Sequence, residues 1–334
     1  MNMLRRLVLL TLSLPLTSLA PAQEQATTLL AAARTSDVVV VATVQAATDP
    51  SPDWHRLQFH ADQTLKGTVA AQFVLLEPSG ACCGRVLFSL QPGDHCLLFL
   101  QRRGSTLHPF GGGRGVVPPS PAVLAHVQAL LAAPNDAAVA ALLADQLAAE
   151  EPRIAADAAH ALATLPTLPL GSGHRAAVAT GLTDALQRGS TTAASLCDVA
   201  ARLADPAMID TLLPSYLHTP RADHGALLRR ALLRCPAAEV AARLPLFQDA
   251  DTDTSVRAAE LLVAMPVEHG QAALQQLLQR APHPRVQLSL CESLLRNGVR
   301  GASLAEQVPT AVLDLAERRV NTPRPFRAIQ PGRR

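Results

Sequence analysis

The densest group of metal-type ligands in the chain is His55, His60 and Asp62. On a strand, His55 and His60 are an odd number of residues apart and point to opposite faces, so sharing one ion requires a bend between them. Both histidines are therefore expected to face solvent. Gly111-Gly112-Gly113-Arg114-Gly115 could cradle a phosphate, but it lacks the Lys-Ser/Thr continuation of a P-loop and opens no strand–loop–helix unit. A linker is the reading that fits its composition. No Gly-x-Ser-x-Gly elbow and no His-Glu-x-x-His helix occurs, and the acidic pairs further on fall at exposed helical positions. No catalytic constellation, cofactor site or metal site is expected.

The six cysteines divide evenly: Cys82, Cys83 and Cys96 near the N-terminus, and Cys197, Cys235 and Cys291 further on. Their spacing fits no zinc template. In an oxidising compartment, a bridge from Cys96 to one of the vicinal pair, with Cys83–Cys96 as the candidate, stands beside the alternative of three free thiols. Cys197 and Cys291 fall on apolar helical stretches and read as small core residues.

The elements that must position these residues change character along the chain. Ala26 to Arg34 is a short helix candidate. Asp37 to Val44 reads as a buried strand, because Val38 to Val41 is an unbroken β-branched run. Trp54 to Gln63 alternates, with Leu57, Phe59 and Ala61 on one face and Arg56, Gln58 and His60 on the other. Gln72 to Glu77 and Cys96 to Gln101 are two more strands, the second preceded by the turn signal Gln91-Pro92-Gly93-Asp94. Short strands with no helical period between them predict a small closed barrel over residues 24–117.

Ser36-Asp37-Val38-Val39-Val40, Thr64-Leu65-Lys66-Gly67, Cys83-Gly84 and Gly93 with Cys96-Leu97-Leu98-Phe99 together resemble the netrin/TIMP-like module. The resemblance implies an OB-type barrel of secreted and extracellular proteins. Members of that family that inhibit metalloproteases place a cysteine at the mature N-terminus to chelate zinc. Here Gln23 stands at that position, and metalloprotease inhibition is not carried over.

Pro118-Pro119-Ser120-Pro121 marks a linker over 118–121, and beyond it the period becomes helical. Val178, Leu182 and Leu186 form one stripe, Val286, Leu290 and Leu294 another, and Ile209, Leu212, Leu213 and Tyr216 a third. Pro166, Pro206, Pro236, Pro266 and Gly298 close Ala/Leu-rich stretches at intervals of 40, 30, 30 and 32 residues. Such a period signals an α-solenoid of helix–turn–helix repeats. Pro214, Pro245 and Pro309 lie inside apolar helical stretches and predict a recurring kink in the first helix of each pair. With Glu151-Pro152-Arg153-Ile154, Thr254-Ser255-Val256-Arg257 and His283-Pro284-Arg285-Val286 opening the second helices, residues 122–319 resemble compact HEAT-like repeats of the type first described in bilin lyases. The resemblance implies about five stacked repeats.

The fold expected is thus two-domain: a small all-β OB-like barrel followed by an all-α HEAT-like solenoid. Ahead of it, Arg5-Arg6, the apolar run Leu7 to Leu16 and Ala20-Pro21-Ala22 read as a signal peptide over 1–22, cleaved near Ala22. No cysteine follows that run, so a lipid anchor is not expected. Residues 320–334 carry four arginines and no acid, and read as a disordered basic tail. A formal net charge of +2 over 334 residues gives no pull toward nucleic acid, and no later stretch is apolar enough to span a membrane.

The function expected is an exported, non-enzymatic interaction scaffold, periplasmic or secreted. It would bind a protein or cell-envelope component through the barrel and the concave face of the repeats. The alternative is an enzyme on the HEAT-like frame, bilin-lyase-like or metal-dependent.

Overall fold

The computed structural model describes residues 28–322, apart from 52–53, 79–88, 220–221, 245–251, 266–273, 280 and 282. Residues 1–22, Cys82, Cys83, Pro245 and Pro266 lie outside the described residues, and so does the tail beyond Thr322.

The chain enters through a short helix, α1 (Leu29–Thr35), whose N-cap Thr28 accepts a hydrogen bond from the Ala31 amide. A long antiparallel hairpin of β1 (Val38–Ser51) and β2 (Trp54–Lys66) follows. Then come β3 (Gln72–Pro78), β4 (His95–Arg103), β5 (Thr106–Pro109) and the two-residue β6 (Val116–Val117). Strand order is β3-β2-β1-β4-β5, with β6 also on β4, and the end strands β3 and β5 pack together. The result is a nearly closed antiparallel barrel.

The run Val38 to Val41 is explained by burial on both sides of β1. Val38 and Val40 face the barrel interior with Leu57, Phe59, Leu75 and Leu98. Val39 faces outward with Leu97, Phe99 and Val117, into a second core that includes α1 and the later helices. A strand covered on both faces has no solvated side to mark with polar residues. Gly67 ends β2 at φ +73, and a Cβ there would lie 2.1 Å from the Asp37 carbonyl oxygen, so glycine is required. Beside it Lys66, the chain's single lysine, donates to the Ala33 and Arg34 carbonyls at 2.9 and 3.1 Å and caps the C-terminus of α1.

The glycine-rich stretch is not a linker. Gly112–Gly115 forms a 3₁₀ turn, and a Cβ on Gly115 would lie 2.6 Å from the Phe110 backbone and 2.8 Å from the Phe99 carbonyl. Gly115 lets one backbone lie on another. Nor does Pro118–Pro121 hold two bodies apart, since Ser120 caps the next helix and Pro121 opens it.

Beyond the barrel the described chain is all-helical: α2 (Pro121–Ala132), α3 (Asp136–Gln146), α4 (Pro152–Thr164), α5 (Ser172–Arg188), α6 (Ala193–Leu203) and α7 (Pro206–His218). There follow α8 (Ala222–Leu232), α9 (Ala237–Arg243), α10 (Thr252–Val263), helical residues 274–279, α11 (Pro284–Arg296) and α12 (Thr310–Asn321). Helices pack both on the next and on the next but one: α3 on α4 and α5, α4 on α6, α5 on α6 and α7, α6 on α8. The stripes of Val178 and Leu182, of Ile209, Leu212 and Leu213, and of Val286, Leu290 and Leu294 are all buried.

The prolines divide by role. Pro214 lies inside α7. Pro309 is not in a helix interior; it is the N-cap of α12, where its missing N–H costs nothing because the first amides of a helix have no partner. Likewise Pro206 and Pro236 open α7 and α9 rather than closing what precedes them, because the turns there are only a few residues long. Val320 and Asn321 are the last turn of α12, not the start of a tail. Arginines close helix ends across the layers: Arg202 of α6 donates to the Ala163 and Leu165 carbonyls at the C-terminal end of α4, and Arg257 of α10 to the Tyr216 carbonyl in α7 at 2.8 Å.

Candidate binding site

The sequence-selected ligands do not come together. His55 is buried on the inner face of β2, with Nδ1 2.6 Å from Asp49 Oδ1, which corrects its placement in solvent. The inward phase that places Leu57 and Phe59 also includes His55, and the Asp49 carboxylate compensates the imidazole there. His60 is exposed on the opposite face. Asp62 belongs to a different group, accepting from Thr43 Oγ1 at 2.6 Å while His95 Nδ1 lies 3.0 Å from that hydroxyl. The β1–β4 register brings this about by pairing Thr43 with His95. Among the described residues no group of three or more His, Cys, Asp or Glu side chains could hold a metal ion.

Cys96 is buried on β4, and its thiol is pushed up to about 11 by burial and, less, by the Asp94 carboxylate. Burial and then Asp198 push Cys197 up to about 12, and burial pushes Cys291 up to about 11. Such thiols stay protonated and unreactive at neutral pH. A serine–histidine contact, Ser195 Oγ to His160 Nδ1 at 2.8 Å, joins α6 to α4. Among the described residues no carboxylate orients that imidazole, so the contact lacks the third member of a triad.

What the strands do build is a groove along the seam between β3 and β5. Its volume is about 800 Å3, and its walls are Trp54, Phe73, Val74 and Leu76 on one side and Arg102, Thr106, Leu107 and His108 on the other, with Thr68 to Ala70 between. Phe73 is held by stacking on Phe59, with ring centroids 5.3 Å apart. Trp54, the chain's single tryptophan, and Leu76 are 45% and 44% exposed. Trp54 pairs across the ladder with Pro78, so Leu76 is its diagonal neighbour on the same outer face. Arg102 Nη2 donates to the Thr68 carbonyl at 3.0 Å, and its amide donates to Asp37 Oδ2 at 2.7 Å, so two contacts fix this wall.

In the sequence Trp54 and Leu76 read as ordinary strand residues, and Arg102 and Leu107 carry no signal of their own. The signal available was the outward phase of Leu76, an apolar residue where the alternation calls for a polar one. No family model, no curated protein and no solved structure matches the chain. Among the described residues no helix is long and apolar enough to cross a membrane.

Proposed function

We propose that the chain is an exported, non-enzymatic scaffold that binds a protein or cell-envelope partner, with the barrel seam as one docking surface and the helical layers as a second. The observation that carries this reading is the seam groove, where two large apolar side chains stand in solvent above an apolar floor. Exposed aromatic and aliphatic residues gathered on one concave surface mark interaction sites, whereas single ones scattered over a surface do not.

The helical region is read as a HEAT-like α-solenoid. The next-but-one packing, the proline inside α7 and the arginine caps reaching back about one repeat favour it. The barrel is read as OB-like, in keeping with the netrin/TIMP-like motifs. Export rests on the pattern of residues 1–22. The test is affinity capture from a native envelope fraction with the full chain as bait. One component that binds saturably is the expected result, and recovery of no saturable partner contradicts it.

A further inference from the structure

We propose that the seam between β3 and β5 receives an extended segment of a partner protein, apolar where it meets Trp54 and Leu76 and carrying a carboxylate opposite Arg102. This rests on the scaffold reading and specifies what one of its surfaces takes. Three features of the seam point to that occupant.

The first is backbone chemistry. β3 is hydrogen-bonded to β2 and β5 to β4, and among the described residues no ladder joins β3 to β5 although the two pack together. Among the described residues, each therefore offers a row of unpaired amides and carbonyls to an added strand. Sheet edges are normally blunted by lysine, proline or a bulge. Between Gln72 and Leu76 there is neither lysine nor proline, and no register shift interrupts the β2–β3 ladder.

The second is side-chain chemistry. On β3, Val74 and Leu76 alternate with the inward Phe73 and Leu75, so they share the outer face with Trp54. An extended segment repeats its side chains with the same period of two and can set alternate apolar residues against them.

The third is charge. Among the described residues, Arg102 and His108 are the titratable ones that line the groove, and no carboxylate lines it. Arg102 uses one guanidinium nitrogen on Thr68, and its other guanidinium donors have no protein acceptor among the described residues. A guanidinium with donors left over on the wall of an apolar groove selects a carboxylate, by direct pairing and by repulsion of cationic segments.

Trp54 makes the test direct, because as the only tryptophan it reports on the groove alone. Its emission is followed in the full chain against three peptides of about eight residues, a typical strand length or slightly more. One alternates valine and threonine and ends in two glutamates; the second ends in two lysines; the third is the glutamate peptide with alternate amides N-methylated. The expected result is a saturable blue shift with the glutamate peptide, binding weaker by about tenfold for the lysine peptide, and none for the methylated one.

Leu76→Glu, at an exposed position, should abolish the shift, and Arg102→Gln should remove the preference for glutamate. Equal binding of the methylated peptide, indifference to Leu76→Glu, or no binding at all overturns the proposal. So does an emission shift that follows protein concentration without peptide, which would make a second copy of the chain the occupant. A protein that ignores every peptide yet holds a partner captured from the envelope loses this inference and keeps the scaffold reading. One that binds the glutamate peptide yet captures nothing loses the envelope partner instead.

Discussion

Asp205 shows how single residues tie the helices together. Its carboxylate caps α7 through the Ala207 amide at 2.8 Å and accepts from Arg175 of α5. Those two hydrogen bonds, the amide first, hold its carboxyl below the usual carboxylate range. A lowered folded value means stability that is present above the unfolded pKa and lost as pH falls through the folded one. Asp205→Ala is therefore expected to cost about 0.5–2 kcal/mol at neutral pH, the usual range for an N-cap. In urea titrations the gap to the parent chain should close as pH falls below about 4, the unfolded carboxylate range. A gap unchanged by acid would contradict the assignment. Asp205 does not stand out in the sequence, because Pro206 reads there as the end of a stretch rather than the start of a helix, and the partner Arg175 lies 30 residues away. His55 failed for a related reason: strand phase gave its face, but the Asp49 carboxylate that makes burial tolerable lies across a turn.

At the scale of elements, strands long enough to carry a pattern were readable, and so was the short α1, whereas the two shortest strands were not. β1, β2 and β4 have enough residues to express a period or an unbroken apolar run, whereas β5 and β6, at four and two residues, express neither. Composition also cannot separate a flexible glycine from one pressed between two backbones, which is why Gly111–Gly115 reads as a linker and folds as a packed turn. Gly115→Ala should therefore destabilise the chain by about 1–3 kcal/mol, the range for overpacking, because the neighbouring atoms are backbone and cannot rotate away. The same change at Gly104, whose Cβ would meet nothing within 4 Å, should show only the smaller penalty of its positive φ. Thermal melts of the two variants compare them directly, and equal losses would sink the packed-turn account. The seam groove has no signature in the sequence because its walls come from four strands and two turns, each ordinary by itself.

Across the whole molecule, the division into barrel and helices is real in secondary structure but not in packing. One apolar cluster runs from Val39, Leu97 and Phe99 of the sheet through Leu29, Leu30 and Ala33 of α1 into α2 and α4. Polar contacts follow it: the Leu29 amide donates to Asp157 Oδ1 of α4 at 2.6 Å, and Arg34 meets Asp136 of α3 at 2.5 Å. α1 therefore joins the sheet to the first helices. The barrel, followed by Trp54 emission, and the first helices, followed by circular dichroism, should lose structure at the same temperature. A barrel that melts well apart from the helices would show that the shared core does not couple them.

The claim on which the functional account turns is that the seam groove holds a partner, and site-specific crosslinking addresses it most directly. A photoreactive amino acid is placed at position 76 in the groove, or at position 263 or 315 on the helices, each exposed in the structure. The account predicts one saturable protein adduct from position 76, lost when Trp54→Ala removes the neighbouring ring. Absence of any adduct at position 76, or an adduct indifferent to Trp54→Ala, would contradict it.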